Sequence, residues 1–334
     1  MLKIAVIVPC FNEVQFIEPF INNVFSQKID DLEVELIIVD GMSVDGTREF
    51  LETVSNESIP VRVIDNPDQI VPVALNIAIK NTDADIIVRM DCHTIYSDNY
   101  IYQCVNKLIN SKADCVGGAW QPKATGLLSK AIAVAFLSPI GSGAAKSRDS
   151  NYDGEVDTVY LGCWTRDRLL SIGMFDESLV RNQDDELCLR LIKDGGIIYQ
   201  SSEIRSSYFV RNSYSRLIKQ FYQYGFWKPA VAKKHGQVAA IRHLIPGLFV
   251  LAQAFLFIVS LIFSKAYIFY FVAFYMLCLI LSAIIYNSDK FTLGERLLSI
   301  ICIAAMHYSY GIGTLVGIFR QVFMASRVDI SISR

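Results

Sequence analysis

Short apolar runs alternate with stretches of helical spacing through the first 120 residues or so. Ile4–Val8, Leu36–Val39, Val61–Ile64, Ile86–Met90 and Ala113–Gly117 read as buried strands, being short, apolar and bounded by polar or turn residues. Between them Val14–Gln27, Thr47–Val54, Val73–Lys80 and Asp98–Ser111 carry helical spacing. Such alternation predicts an α/β domain, Rossmann-like, with a mostly parallel sheet and right-handed crossovers. Ligands of such sheets bind beyond the carboxyl ends of the strands. Residues just after each strand are therefore the first candidates for chemistry.

The pattern changes after residue 243. Leu244–Phe263, Ala266–Tyr286 and Leu297–Phe319 are apolar segments of about 20 residues, enough for a helix to cross a hydrocarbon core. The first two carry no charged side chain. The third holds His307, Gly311, Gly313 and Gly317, which also suits a re-entrant or tightly packed helix. Lys228, Lys233, Lys234 and Arg242 favour a cytoplasmic start to the first span. Three crossings would then carry Arg320, Arg327 and Arg334 outside, and the sequence leaves this conflict open. Tyr214–Gln237 interleaves aromatic and basic residues, as either an interfacial amphipathic helix or a solvated one would. The expected division is a domain over 1–212, a connector over 213–243, C-terminal transmembrane helices over 244–319 and a tail over 320–334.

Composition narrows the function classes. The chain has 334 residues, 52% hydrophobic and 19% charged, with a formal net charge of −2. That balance offers no basic surface for nucleic acid. The eight cysteines include no CxxC pair, which argues for reduced thiols rather than zinc or a disulfide framework. The opening MLKIAVIVPCFNE is interrupted by Pro9, Asn12 and Glu13, so it reads as a first strand and not a signal peptide.

Chemistry gathers at the strand ends. VIVPCFNE closes the first strand. IIVDGMSVDGT puts Asp40 at the end of the second and Asp45 in the next turn, where acids can accept hydrogen bonds from a ribose and a base. Asp45-Gly46-Thr47 also fits an ordinary helix cap. IIVRMDCHTIY sets Asp91 and His93 two apart on an extended segment, so they face the same way. Together they could hold Mg²⁺ or Mn²⁺ against two phosphates. Asp184 and Asp185 open a later helix, where acids also match the helix dipole.

VIVPCFNE, VDGMSVDGT, the NP…ALN stretch and RMDCH together resemble the nucleotide-binding half of family 2 glycosyltransferases, which have a GT-A fold. The resemblance continues through DTVYLGCWTRDRLLSIGMFDESLVRNQDDELCLRLIKDGG and covers most of residues 1–230. Within the family the chain is similar to the membrane-anchored exopolysaccharide branch typified by succinoglycan glucosyltransferases. The resemblance implies that Pro9, Phe11, Asn12, Glu13, Asp40, Ser43, Asp45, Asn66, Asn76, Arg89 and Asp91 surround the nucleotide sugar. It implies a metal at Asp91 and His93, an acceptor side at Gly162, Cys163 and Trp164, and a catalytic base at Asp184 with Asp185 beside it. The family's metal element is usually Asp-x-Asp, so His93 removes one negative charge, and Gln183 stands where a Glu usually precedes the base.

Inverting transfer needs a carboxylate to deprotonate the incoming hydroxyl and positive charge on the leaving diphosphate. The QxxRW element of processive synthases has no match in Gln220-Phe221-Tyr222-Gln223-Tyr224 or Gly225-Phe226-Trp227, which favours single-sugar transfer. The expected protein is a multi-pass enzyme of the bacterial plasma (inner) membrane with a cytoplasmic catalytic domain. Its expected donor is a UDP-sugar or other NDP-sugar, and its acceptor a polyprenyl-diphosphate-linked saccharide. A polyprenyl-phosphate glycosyl synthase is the enzymatic rival. Gln183 and His93 also admit an inactive nucleotide-sugar-binding scaffold. A transporter is disfavoured, because the spans hold no ionisable residue but His307.

Overall fold

The computed structural model describes residues 2–29, 31–285 and 290–323. Its strands are β1 (Lys3–Cys10), β2 (Glu33–Asp40), β3 (Val61–Asp65), β4 (Ile86–Arg89), β5 (Thr94–Tyr96) and β6 (Cys115–Gly118). They continue with β7 (Trp120–Lys123), β8 (Gly154–Glu155), β9 (Tyr160–Thr165), β10 (Ile198–Gln200) and β11 (Ser206–Phe209). The helices are α1 (Ile17–Phe25), α2 (Thr47–Leu51), α3 (Val71–Lys80), α4 (Tyr100–Asn110), α5 (Leu127–Leu137) and α6 (Pro139–Ser142). After them come α7 (Arg166–Ser171), α8 (Gln183–Lys193), α9 (Tyr214–His235), α10 (Ile245–Ile262), α11 (Ala266–Ile285) and α12 (Leu293–Phe323).

The main sheet has the order β3-β2-β1-β4-β9-β6-β10-β8. β3, β2, β1 and β4 are parallel, and the apolar runs of β2, β1 and β4 are nearly continuous because both faces are covered, while β3 at the edge is partly exposed. Phe20 and Val24 of α1 and Ile101 and Cys104 of α4 join one core. Leu75 and Ile79 of α3 and Leu187 and Leu191 of α8 join the other. The fifth expected strand, β6, does not pair with β4. β9 lies antiparallel between them, so the parallel run is interrupted. The register sets Cys10 beside Asp40, Asp40 beside Asp65, and Ile7 beside Arg89. Four strands thus deliver their carboxyl ends to one edge. A small sheet of order β5-β11-β7 was not apparent from the sequence.

The chain divides into two compact units, Met1–Gln121 with Asp149–Phe209, and Pro122–Arg148 with the residues from Val210 onward. In the second unit three helices are long and apolar enough to cross a membrane, Ile241–Ile262, Ala266–Ile285 and Leu293–Phe323. The most apolar stretches of the first two are 11% buried, that of the third 50%. α12 owes its burial largely to α9. A Cβ on Gly313 would lie 2.2 Å from the Tyr222 carbonyl oxygen, and one on Gly317 would lie 2.4 Å from that of Phe226. Tyr286 and the tail beyond Phe323, with Arg327 and Arg334, lie outside the described residues.

Candidate active site

The turns after β1 and β2 close on each other. Asp40 is fully buried and accepts from the Ser43 hydroxyl at 2.6 Å and the Ser43 N–H at 3.1 Å. Ser43 Oγ accepts from the Asn12 N–H (2.8 Å), and Asn12 Oδ1 accepts from Val44 (2.9 Å). Asn12 adopts a left-handed φ of 54°, a conformation asparagine tolerates. Asp45 accepts from the Thr47 hydroxyl and N–H and from Val14 N–H, tying the turn before α2, whose N-cap is Gly46, to the turn after β1. Desolvation opposes its charge, but these three donors prevail and hold its pKa below the ordinary value. The Glu13 N–H donates to Thr47 Oγ1. Pro9 sits in β1 opposite Val39. The Phe11 ring covers Gly41, where a Cβ would approach it to 2.9 Å. Asn66 follows β3, donates its amide to the Ile70 carbonyl, and keeps a buried Oδ1 with no partner among the described residues.

The segment after β4 is built differently. The Arg89 side chain is 6% exposed, and its Nε and Nη2 donate to the two oxygens of Asp91 at 3.1 and 3.2 Å. Burial works against the guanidinium charge, yet Asp91 and Asp184 outweigh it and its pKa is raised. Nη1 has no partner among the described residues. Asp184, in the first turn of α8, adds its charge to the field that favours this guanidinium, while Asp91 alone is hydrogen-bonded to it. The backbone of Asp91 is held at both ends by the Tyr96 hydroxyl. Cys92 turns inward towards Cys10, and that contact together with burial pushes its thiol pKa up. Asp91 and His93 remain half-buried on either side of it, as alternation requires. His93 Nδ1 lies 3.6 Å from Glu13 Oε1, joining the β4 and β1 ends.

The acidic run of α8 splits by burial. Glu186 is fully buried and paired with Arg190 at 2.8 Å, while Asp184 and Asp185 remain half-buried. Gln183, standing in the usual Glu position, is buried.

Two expectations are corrected. Trp164 is 2% exposed, with its ring edge-on to Phe175 at 6.0 Å, and Cys163 is fully buried. β9 is wedged between two strands, so neither side chain can meet a sugar. Gly162 has φ +102°, and a Cβ there would strike the Trp164 ring at 2.4 Å, so packing alone demands the glycine. Asn76 is 3% exposed and spends both amide N–H groups on Phe175 O and Glu177, while accepting from Phe175 N–H. It braces a turn and has no donor left for a nucleotide.

The sequence also missed an aromatic wall beside Asp91. The Tyr208 ring stands 5.5 Å from His93 and 5.2 Å from Trp120, and Tyr160 shares a 2.8 Å hydrogen bond with Thr94. Of these rings Tyr208 is buried, and His93, Trp120 and Tyr160 are half-buried. The four come from separate stretches of chain, and no local pattern signals them.

Among the described residues no three His, Cys, Asp or Glu side chains form a metal cage. The site offers one carboxylate, Asp91, and one imidazole, His93, with Glu13 nearby. Such a set fits a hard cation whose remaining ligands are diphosphate oxygens and water. Arg89 occupies both Asp91 oxygens, so a cation would share that carboxylate with the guanidinium.

Residues 5–161 match the family model described as Glycosyl transferase family 2. The succinoglycan biosynthesis protein ExoA of Rhizobium meliloti is 30% identical over 243 residues, 72% of this chain and 73% of that protein. A dolichyl N-acetyl-alpha-D-glucosaminyl phosphate 3-beta-D-2,3-diacetamido-2,3-dideoxy-beta-D-glucuronosyltransferase of Methanococcus voltae is 27% identical, covering 69% of this chain and 74% of its own. The mannosyltransferase PcManGT from Pyrobaculum calidifontis, solved with GDP-Man and Mn²⁺, superposes with a TM-score of 0.58 at 17% identity. That superposition covers 97% of this chain and 88% of that one. It is a likeness of fold.

Proposed function

The chain belongs to glycosyl transferase family 2 and is a glycosyltransferase, and from that premise we propose that it moves one sugar from a nucleoside-diphosphate donor to a lipid-linked saccharide in polysaccharide synthesis. The observation that carries this reading is the buried Arg89 pairing both oxygens of Asp91 at a strand end, with His93 of the same segment against Glu13. Asp184 accepts the proton of the acceptor hydroxyl as its oxygen bonds to the anomeric carbon. The bond from that carbon to the diphosphate breaks on the opposite face, and the nucleoside diphosphate departs. Arg89 offsets the charge of two carboxylates where a diphosphate adds more. A bound Mg²⁺ or Mn²⁺, held by Asp91 and His93, would supply further positive charge to the leaving group. Asp40 and Ser43 shape the nucleoside cleft, and the free Asn66 Oδ1 accepts a hydrogen bond there. Trp120 replaces Trp164 as the ring on which a sugar stacks.

The acceptor class rests on the apolar helices and on the dolichyl-linked substrate in the name of the Methanococcus relative. Burial supports two crossings rather than three. α9 runs parallel along α12, with Tyr214 against Cys302, Phe226 against Gly317, and Lys233 donating to the Gln321 carbonyl at 2.7 Å. α9 carries Arg216, Lys219, Lys228, Lys233 and Lys234. Drawing such a helix through hydrocarbon costs about 3 kcal/mol per central charge. α10 and α11 therefore cross as a hairpin, and α12 lies between that hairpin and α9, with Tyr308 hydrogen-bonded to Gln253 and His307 to Tyr275. Arg320 then lies on the side of Lys228 and Arg242, which removes the charge conflict.

The test is transfer by the purified full chain, with UDP- and GDP-sugars, with and without Mn²⁺. Turnover on a lipid-linked saccharide and none on bare polyprenyl phosphate is expected. The reverse preference would identify a polyprenyl-phosphate glycosyl synthase, and no transfer or donor hydrolysis at all would favour a scaffold.

A further inference from the structure

We propose that Arg89 is a positioning residue that makes cation capture depend on the donor: the free chain holds Mg²⁺ or Mn²⁺ weakly, and holds it firmly only beside a bound nucleoside diphosphate. The inference rests on the reading that such a diphosphate binds at this edge of the sheet. Arg89 Nε and Nη2 take both Asp91 oxygens. A carboxylate has about four acceptor positions, and a planar fork fills two of them at once. A cation is left with the other two, on a carboxylate whose charge already has a partner.

The fork is fixed at both ends. β4 lies between β1 and β9, and the Arg89 side chain is 6% exposed, so releasing Asp91 would strand a buried cation. Asp91 donates its N–H to the Tyr96 hydroxyl at 2.6 Å, and that hydroxyl donates to the Asp91 carbonyl at 3.1 Å. The carboxylate therefore stays where the guanidinium holds it, and a cation must come to the pair. His93 does not restore the missing charge, because an imidazole brings a nitrogen and no negative charge. Its Nδ1 lies 3.6 Å from Glu13 Oε1, so one ring nitrogen already faces a carboxylate. Phosphate oxygens are hard anionic ligands of the kind Mg²⁺ takes from its substrates. A diphosphate supplies the charge that the fork withholds.

The experiment is Mn²⁺ titration of the purified full chain, followed by the electron paramagnetic resonance of free Mn²⁺. It is run without nucleotide, with UDP and with GDP, and corrected for Mn²⁺ that the nucleotide binds alone. The parent should bind Mn²⁺ about tenfold or more tightly with the nucleotide it accepts than without. In the free chain Arg89→Met should tighten Mn²⁺ binding by about tenfold, and Arg89→Lys, which keeps the charge but fills one oxygen, by less. Adding Asp91→Asn to Arg89→Met should abolish the gain. An Arg89 that merely supported the fold would lose Mn²⁺ affinity on replacement, the opposite sign. Equal Mn²⁺ affinity of the free parent and both Arg89 variants would overturn the proposal. So would a free parent that binds Mn²⁺ as tightly as the nucleotide-bound one, a comparison that needs no variant to fold. Failure of both UDP and GDP to bind would count against the transfer reading, whereas the free-chain comparison decides the role of Arg89 without either nucleotide.

Discussion

The two halves of the sheet's carboxyl edge carry similar residues and use them in opposite ways. After β1 and β2 the polar groups are spent on one another in two local sets of hydrogen bonds, Asp40 with Ser43 and Asn12, and Asp45 with Thr47. After β4, Arg89 keeps Nη1 unspent, Asp91 is partly exposed, and Asp184 arrives from a distant helix. An acid that follows a strand becomes scaffold when its partners are local. It stays available for chemistry when its counter-charge is shared with a group from elsewhere in the chain.

That contrast can be broken by substitution. Asp184→Asn should give the largest effect, a loss of transfer of about 10²–10⁴-fold with donor affinity and unfolding midpoint unchanged. Retained turnover would remove Asp184 from the base role. Arg89→Met should cost about 3 kcal/mol in denaturant unfolding, at the low end for a stranded buried charge because Asp91 is partly exposed. Stability like that of the parent would mean the pair is ornamental. Trp120→Ala should raise the sugar KM roughly tenfold, on the scale of one aromatic contact, and leave nucleotide affinity intact. Asp45→Ala should be mildest, about 1 kcal/mol or less for an exposed carboxylate that holds a turn by hydrogen bonds. The Asp45 carboxyl pKa is held low, so its contribution is present above the ordinary carboxylate range and disappears as pH falls through the folded value. The parent and variant should therefore converge in stability in acid. A gap unchanged there would show that Asp45 acts through packing.

Much of this was legible in the sequence, for physical reasons. Central parallel strands must be apolar on both faces, so β1, β2 and β4 stood out, and the residues after them followed from topology. The glycines of α12 hinted at close packing, but not that α9 was the partner. What escaped notice depends on distant pairing. β9 is short and lies antiparallel between β4 and β6, and only that neighbourhood makes Trp164 a core ring. Asn76 is committed by a turn about a hundred residues away. The Trp120–Tyr208–His93 wall needs the small sheet, whose strands are too short to announce themselves.

A structure of the chain bound to a non-hydrolysable nucleoside-diphosphate sugar tests the central claim most directly. The diphosphate is expected beside Asp91 and His93, with the anomeric carbon open on the side facing the Asp184 carboxylate. A nucleotide bound away from the Arg89–Asp91 pair, with Asp184 remote from the sugar, would contradict it.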